Sequence, residues 1–411
     1  MKNNILYLSY DGLTDPLGQS QILPYLKYLS TQGYSFTILS FEKKSRFQKE
    51  GKIVQAIADE SSIEWVPLWF TAKPPVLSKI YDRHKMWQTA ARLHKKNNFV
   101  LVHCRSYIAA EAGLKLKKKF GLKMLFDMRG FWADEKADNG QWNQGNPLFK
   151  RIYKHYKRKE KQFLKNADGI ISLTRAGKDY LLQQEANKNV LIDVIPCCAD
   201  LEHFNFHNVP LEKVQQLRSD LGIAKNEKVI TYLGSVGGWY MTKEMFSFFK
   251  VLLEAQPLYK MLILTKDDVE KVKKEAAEEG IPRDKLIVTY SDRKRLPQYL
   301  ALSNCSIFFI RNTFSKIASS PTKHAELMGM GIPVICNDIG DTGNIIKATG
   351  TGLLLNEFDP ASIKNAVCKI PELEKLDKEL IRQSAKEFFD LGNGAKKYLE
   401  VYTNILEKRG G

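Results

Sequence analysis

Residues 4–41 read NILYLSYDGLTDPLGQSQILPYLKYLSTQGYSFTILSF, and this stretch decides the fold class. Asn4–Ser9, with an apolar centre, and Tyr34–Phe41, rich in aromatic and β-branched residues, both read as strands. Between them lie a loop, Tyr10–Gln19, and a helix from about Ser20 to Gly33. That is a βαβ unit, and the alternation repeats outward from it. Strands follow near Ile63–Leu68, Phe99–His103, Lys123–Asp127, Gly169–Leu173 and Val190–Ile195. Helices fall near Ser78–Lys96 and Tyr107–Phe120, over the basic run at 151–165, and from about Arg175. Pro196–Phe204 reads as a linker. A second alternation opens at Lys228–Leu233 and continues with strands at Met261–Leu264, Leu286–Thr289, Ser306–Ile310 and Pro333–Cys336. The last helical region, about Leu376–Lys408, is expected to break around Gly392-Asn393-Gly394. The class is α/β, with two doubly wound domains. A ligand is expected in a cleft at the carboxyl ends of their strands.

The length of 411 residues suits two domains. A net charge of +17 points to acidic small molecules, nucleic acid or an anionic membrane surface. No RNP-like, zinc-finger or helix-turn-helix signature is present, so no nucleic-acid partner is expected. The charge concentrates in Lys115–Lys119 and in RIYKHYKRKEKQFLK, residues 151–165. Apolar Ile152, Tyr153, Tyr156, Phe163 and Leu164 interleave the second run, so it reads as an amphipathic helix. Such a helix suits either contact with anionic lipid or a plain solvated face. Six cysteines without CxxC spacing fit reduced, buried thiols. With no leader-like or membrane-spanning run, the expected location is cytoplasmic, with possible peripheral contact at the inner face of the membrane.

The chemistry concentrates in SSPTKHAELMGMGIPVI, residues 319–335. Ser320 is placed as N-cap and Pro321 as the first helical residue, which leaves the N–H groups of Thr322 and Lys323 free. A helix start with free donors suits phosphate. Lys323 is disfavoured in a first turn unless an anion binds. Glu326 shares the face of Thr322 and Lys323 and is placed to grip the hydroxyls of a ribose. The other reading is a capped core helix with solvated Lys and Glu. Three further loops stand at strand ends. In Gly12…Gly18, Gly18 would admit a phosphate or simply make a tight turn. Gly234–Tyr240 is glycine-rich without being GxGxxG. Asp127–Glu135, running on through Gly140 and Trp142, mixes aromatics and carboxylates, which suits sugar recognition or packing alone.

These motifs together resemble the family 4 glycosyltransferases: Asp11-Gly12…Gly18-Gln19-Ser20, Asp127-Met128-Arg129-Gly130, Gly234–Tyr240 and Ser319–Lys323…Glu326, in that order. The resemblance implies a GT-B fold of two Rossmann-like domains. It implies transfer of a sugar from a nucleotide-diphosphate donor, with retained configuration and without a tightly bound metal or other cofactor. It implies domains at 1–198 and 199–384, with a helix at about 385–411 returning to the first. The donor is expected to be UDP-linked, the sugar a hexose, and the acceptor a glycan or lipid-linked species of cell-surface polysaccharide synthesis. An epimerase or hydrolase of the same fold, or a non-catalytic nucleotide-sugar-binding partner, is the alternative.

The family's donor helix carries a Glu-x7-Glu pair. Glu326 matches the second member, and Ala318 stands at the first, a departure. The family's Arg and Lys after the first strand of the second domain are also missing. Ser235 and Lys243 stand in that region, and Lys323, Arg311 or Arg129 would supply the charge. Arg311 is expected to end a strand and point into the cleft. The expected catalytic groups are Asp127, Arg129, Lys323 and Glu326. The expected donor-binding set is Gly18, Gln19, Ser235, Gly237, Arg311, Ser319, Ser320, Pro321, Thr322, Lys323 and Glu326. Trp132 and Trp142 are placed on the acceptor side. Asp267-Asp268 lacks metal-binding spacing, and no metal is expected. His103, His155 and His324 show no sequence partner and read as structural.

Overall fold

The structure, a computed structural model, describes residues 3–183 and 190–407. The expected helix end at Lys408 and the outer domain limits at 1 and 411 lie outside the described residues. The chain divides into two units: Met1–Pro196 with Phe314–Ser319 and Leu391–Gly411, and Cys197–Thr313 with Ser320–Asp390.

The first unit is built on seven parallel strands: β1 Asn3–Ser9, β2 Tyr34–Glu42, β3 Glu64–Trp69, β4 Leu101–Arg105, β5 Lys123–Asp127, β6 Gly169–Ser172 and β7 Leu191–Val194, in the order β3-β2-β1-β4-β5-β6-β7. The order reverses between β1 and β4. That is where a doubly wound sheet leaves a crevice outside its carboxyl ends. Arg105 pairs in register with Asp127, so two charged residues end adjacent strands side by side.

The second unit repeats the plan with six parallel strands: β8 Lys228–Leu233, β9 Tyr259–Leu264, β10 Leu286–Thr289, β11 Cys305–Phe308, β12 Val334–Cys336 and β13 Gly352–Leu354. The order is β10-β9-β8-β11-β12-β13. The sequence pattern misses β13, whose three residues are only half-buried. It also misses the helix Lys44–Glu60, a polar helix that buries only Gly51, Val54 and Ala58.

The boundaries fall differently from the expectation. Cys197–Phe204 is no solvated linker. Leu201 and Phe204 are core residues of the second unit, packed closely on Gly329. The C-terminal helices break at Asp390, not at the glycines. Asp390 is extended (φ −63°, ψ 130°) and forms a parallel bridge with Ala199, while Gly392 and Gly394 lie inside the helix Leu391–Glu407. The return to the first unit therefore begins at Leu391, not near 385. This last helix buries Ala395, Tyr398, Val401, Tyr402 and Ile405 along one face. Tyr398 meets Tyr25 edge-on at 5.2 Å, and Tyr402 meets Tyr34 at 5.3 Å. Each buried aromatic of this kind contributes about 1.5–3 kcal/mol by burial.

Candidate active site

In the second unit the site is assembled around Lys323. The helix Thr322–Gly329 starts one residue later than expected. Pro321 is extended (φ −73°, ψ 116°) and takes the N-cap position itself. Ser320 is thus not the cap, and its hydroxyl accepts a hydrogen bond from the Cys197 N–H at 3.1 Å. The N–H groups of Thr322 and Lys323 make no hydrogen bond among the described residues, whereas the His324 N–H already bonds the Pro321 carbonyl.

The Lys323 side chain is buried. Its Nζ lies 3.5 Å from the centre of the Tyr240 ring, 4.4 Å from that of Tyr232 and 3.4 Å from the Tyr232 hydroxyl. Burial pushes its pKa well below the usual lysine value, and Glu326 only partly opposes this. Gly234, the first residue after β8, closes over it with φ +128°. That backbone conformation favours glycine, and a Cβ there would also stand 2.6 Å from Nζ, so any other residue would push the ammonium aside.

The rest of the loop is held from several sides. Val236 N–H donates to Asp267 at 2.5 Å, Gly237 N–H donates to Thr242 Oγ1 at 2.9 Å, and the Tyr232 hydroxyl donates to the Ser235 carbonyl. Asp267 is thus a loop anchor, and Asp268 caps the following helix through the Lys271 N–H. Arg311 lies beyond the end of β11, is exposed, and donates to the Gly238 carbonyl at 3.0 Å. It does not end a strand as expected; it pins the loop instead.

Glu326 is buried one turn after Thr322, and Arg293 Nη1 holds its Oε1 at 3.1 Å. Burial raises the Glu326 pKa, and Arg293 is the main influence holding it down. Arg293 was not singled out by sequence, although Arg293-Lys294-Arg295 soon after β10 was a visible signal. His324 is fully buried between Phe308 and Phe389, and neither ring nitrogen has a hydrogen-bond partner among the described residues. Its pKa falls to about 4 through burial.

In the first unit Asp127 is the centre. It is fully buried at the end of β5. Tyr398 donates to its Oδ2 at 3.0 Å, and His103 Nε2 lies 3.4 Å from the same oxygen. His103 Nδ1 meets the Tyr402 hydroxyl at 2.7 Å, so His103 does have partners, one of them 299 residues away. Arg129 foremost, then the His103 hydrogen bond, holds the Asp127 pKa below the ordinary carboxylate value despite burial. Burial keeps the His103 pKa low.

The N-terminal loop is ordered by Glu42, which sequence reasoning did not find. This buried carboxylate takes the Leu13 N–H at 2.7 Å, the Thr14 N–H at 3.1 Å, the Thr14 hydroxyl at 2.5 Å and the Ser40 hydroxyl at 2.6 Å. The helix after it starts at Pro16, not near Ser20. Gly18 is needed because a Cβ would lie 2.3 Å from the Gly12 carbonyl oxygen; the close approach is to backbone. Gln19 reaches back to the Thr14 carbonyl.

Trp132 and Trp142 sit edge to face at 5.2 Å, with Trp142 stacked on Tyr156. Ser319 belongs to this unit, its N–H bonded to the Lys316 carbonyl. Ala318 is buried here, and its Cβ lies 3.1 Å from where a Cβ on Gly177 would stand. The position at which the resemblance expects a glutamate is therefore packed. The structure thus gathers Thr322, Lys323, Glu326 and Ser235 in the second unit and Asp127 and Arg129 in the first. Gly18, Gln19 and Ser319 also fall in the first unit.

The model for Glycosyltransferase Family 4 matches residues 21–203, and that for Glycosyl transferases group 1 matches residues 213–387. The chain belongs to the family 4 glycosyltransferases. As a family 4 glycosyltransferase it is 21% identical over 317 residues to a D-inositol 3-phosphate glycosyltransferase of Nocardia farcinica, covering 74% of this chain and 66% of that protein. The chain thus spans just under two thirds of that relative's length. A glycosyltransferase from Rickettsia africae has a similar structure, with a TM-score of 0.71 at 19% identity over 99% of this chain and 100% of that one. HepE of Anabaena in complex with UDP and glucose follows, with a TM-score of 0.69 at 14% identity over 98% and 99%. This family 4 glycosyltransferase therefore shares their fold of two Rossmann-like domains.

Proposed function

We propose that the protein transfers a hexose from a UDP-linked donor to a glycan or lipid-linked acceptor, with retained configuration and without a resident metal. The observation that carries the donor half is the buried Lys323, placed under the Gly234 loop beside two N–H groups with no hydrogen bond among the described residues. A buried ammonium without a paired anion is unfavourable by several kcal/mol. A nucleoside diphosphate offsets that cost, taking charge from Lys323 and hydrogen bonds from the helix start. The same groups stabilise the negative charge that develops as the diphosphate departs. Glu326, oriented by Arg293, grips the ribose. UDP in HepE, a protein of similar fold, supports uridine as the base. Asp127 and Arg129 act on the acceptor side.

A place in surface-glycan synthesis fits the first unit's basic face. On the helix Pro147–Asn166, Arg151, Lys154, Arg158, Lys161 and Lys165 form one exposed stripe, while Lys157 turns inward to Asp134 and Glu160. The neighbouring helix Pro75–Asn97, joined to it by Arg83 and Tyr156 at 3.3 Å, exposes Leu77, Ile80 and Tyr81. A basic stripe and exposed apolar residues suit an anionic membrane surface. Among the described residues no helix is long and apolar enough to cross a membrane.

The test is nucleotide release from UDP-, GDP- and ADP-linked sugars by the purified protein. Release confined to UDP-sugars and dependent on an acceptor supports the proposal. Turnover without acceptor would favour an epimerase or hydrolase, and binding without turnover a non-catalytic partner. Sedimentation with anionic vesicles at low salt tests the membrane contact; protein left in the supernatant refutes it.

A further inference from the structure

A second set of buried charges lies in the first unit, at the carboxyl ends of β4 and β5. The Arg105 and Arg129 side chains are 4% and 8% exposed, Arg129 Nη2 reaches Gln21 Oε1 at 3.5 Å, and the buried Asp127 stands between the two guanidinium groups. Asp127 lies 3.9 Å from Arg105 Nη1 and 3.8 Å from Arg129 Nη1. His103 and Tyr398, the other neighbours of Asp127, bring no negative charge. Asp11 reaches Arg105 Nε only at 3.6 Å, from a half-exposed position. Arg105 Nε, Arg105 Nη1 and Asp127 Oδ1 are buried and have no hydrogen-bond partner among the described residues. Buried polar atoms are normally satisfied, so orphaned donors beside an orphaned acceptor call for an occupant.

The backbone marks the same place. Ser106 (φ 65°) directly follows Arg105, and Arg129 itself has φ 55°. Among the described residues the other non-glycine positions of positive φ are Ser62 and Asn98, both just past helix ends, where the left-handed conformation is ordinary. Strain at adjacent strand ends is characteristic of ligand sites.

We infer that Arg105 and Arg129 form a second anion site, which takes a phosphate group carried by the acceptor, while Asp127 Oδ1 accepts a hydrogen bond from a neighbouring acceptor hydroxyl. A guanidinium pair matches phosphate in charge and in donor geometry. The ligand class is a phosphate ester with a free hydroxyl, either a soluble sugar or polyol phosphate or a lipid phosphate. Assigning the anion to the acceptor rests on the transferase reading above; the anion site itself does not.

The experiment is calorimetric titration of the full chain with inorganic phosphate, in wild type, Lys323→Met and Lys323→Met/Arg105→Gln. Phosphate binding is expected to survive Lys323→Met and to weaken at least about tenfold when Arg105→Gln is added, the loss of one charge-assisted contact. Binding abolished by Lys323→Met alone, or unchanged by Arg105→Gln, overturns the site. If Arg105→Gln does not fold, hydrogen exchange in the wild type decides. Phosphate must protect the amides around Ser106 and Arg129, and no protection overturns the site. A further arm repeats the titration with UDP in excess. Persistence assigns the anion to the acceptor, and displacement gives the site to the donor and overturns that assignment. Glycerol 1-phosphate and vesicles containing phosphatidic acid, titrated in parallel, separate a soluble from a lipid source. Because binding is read without turnover, failure of the transferase reading leaves this result distinguishable.

Discussion

Replacing Lys323 by Met should stabilise the protein and weaken donor binding together. The ammonium is buried, and among the described residues no carboxylate forms an ion pair with it; Glu326 acts only through space and is itself held by Arg293. The Tyr240 and Tyr232 rings at 3.5 and 4.4 Å return about 2 kcal/mol at most, against several kcal/mol for desolvating the charge. The folded pKa is therefore depressed. Between it and the unfolded value the unfolded chain binds more protons, so stability rises with pH through that window. Methionine fills a similar volume with no charge and leaves no buried donor unpaired. The unfolding free energy of the ligand-free protein at pH 7 should rise by about 1–3 kcal/mol. UDP should lose a charge-assisted contact worth about 1.5–3 kcal/mol, roughly 10- to 150-fold in affinity. Urea denaturation measures the first and isothermal calorimetry the second. A Met variant that unfolds more easily, or that binds UDP as tightly as wild type, refutes the reasoning.

The same depression predicts that UDP binding takes up protons above neutral pH, because the bound diphosphate raises the Lys323 pKa; calorimetry in buffers of different ionisation enthalpy should show uptake that disappears in Lys323→Met. His324 titrates near 6.5 when unfolded and about 4 when folded, so stability should fall by about 3 kcal/mol as pH drops from 6.5 to below 4. His324→Phe should remove that component of the acid sensitivity, measured by denaturant unfolding across this range. Glu42→Gln puts an NH2 group against donors that need an acceptor. It should cost about 1–3 kcal/mol for each amide left unpaired, and amide exchange at Leu13 and Thr14 should rise; unchanged exchange would contradict the role given to Glu42.

The parallel α/β plan was legible because buried strands such as Ile5–Leu8 and Met261–Leu264 are apolar without interruption. Half-buried β13 and the polar helix Lys44–Glu60 lack that signal. The helix Thr322–Gly329 was legible because Pro321, Lys323 and Glu326 carry local meaning. Its start was misplaced by one residue because Ser320 is drawn off to Cys197, a partner 123 residues away. The break at Asp390 was hidden for a similar reason: it coincides with the bridge to Ala199, while Gly392 and Gly394, the local candidates, lie inside the helix. The surroundings of Asp127 could not be read at all. His103 and Tyr398 meet it, and Tyr402 meets His103, only through strand order and the returning C-terminal helix. Glu42 and Arg293 were missed because each acts on a segment that folding alone brings near.

The central claim is that the start of the helix Thr322–Gly329 binds a nucleoside diphosphate, with Glu326 on the ribose. A double-mutant cycle between protein and ligand tests it most directly: the affinities of UDP and 2′,3′-dideoxy-UDP for wild type and Glu326→Ala. Dideoxy binding should be at least about tenfold weaker in wild type, with no difference between the two ligands in Glu326→Ala. If wild type does not distinguish them, or if Glu326→Ala preserves the full difference, the nucleotide is not held as described.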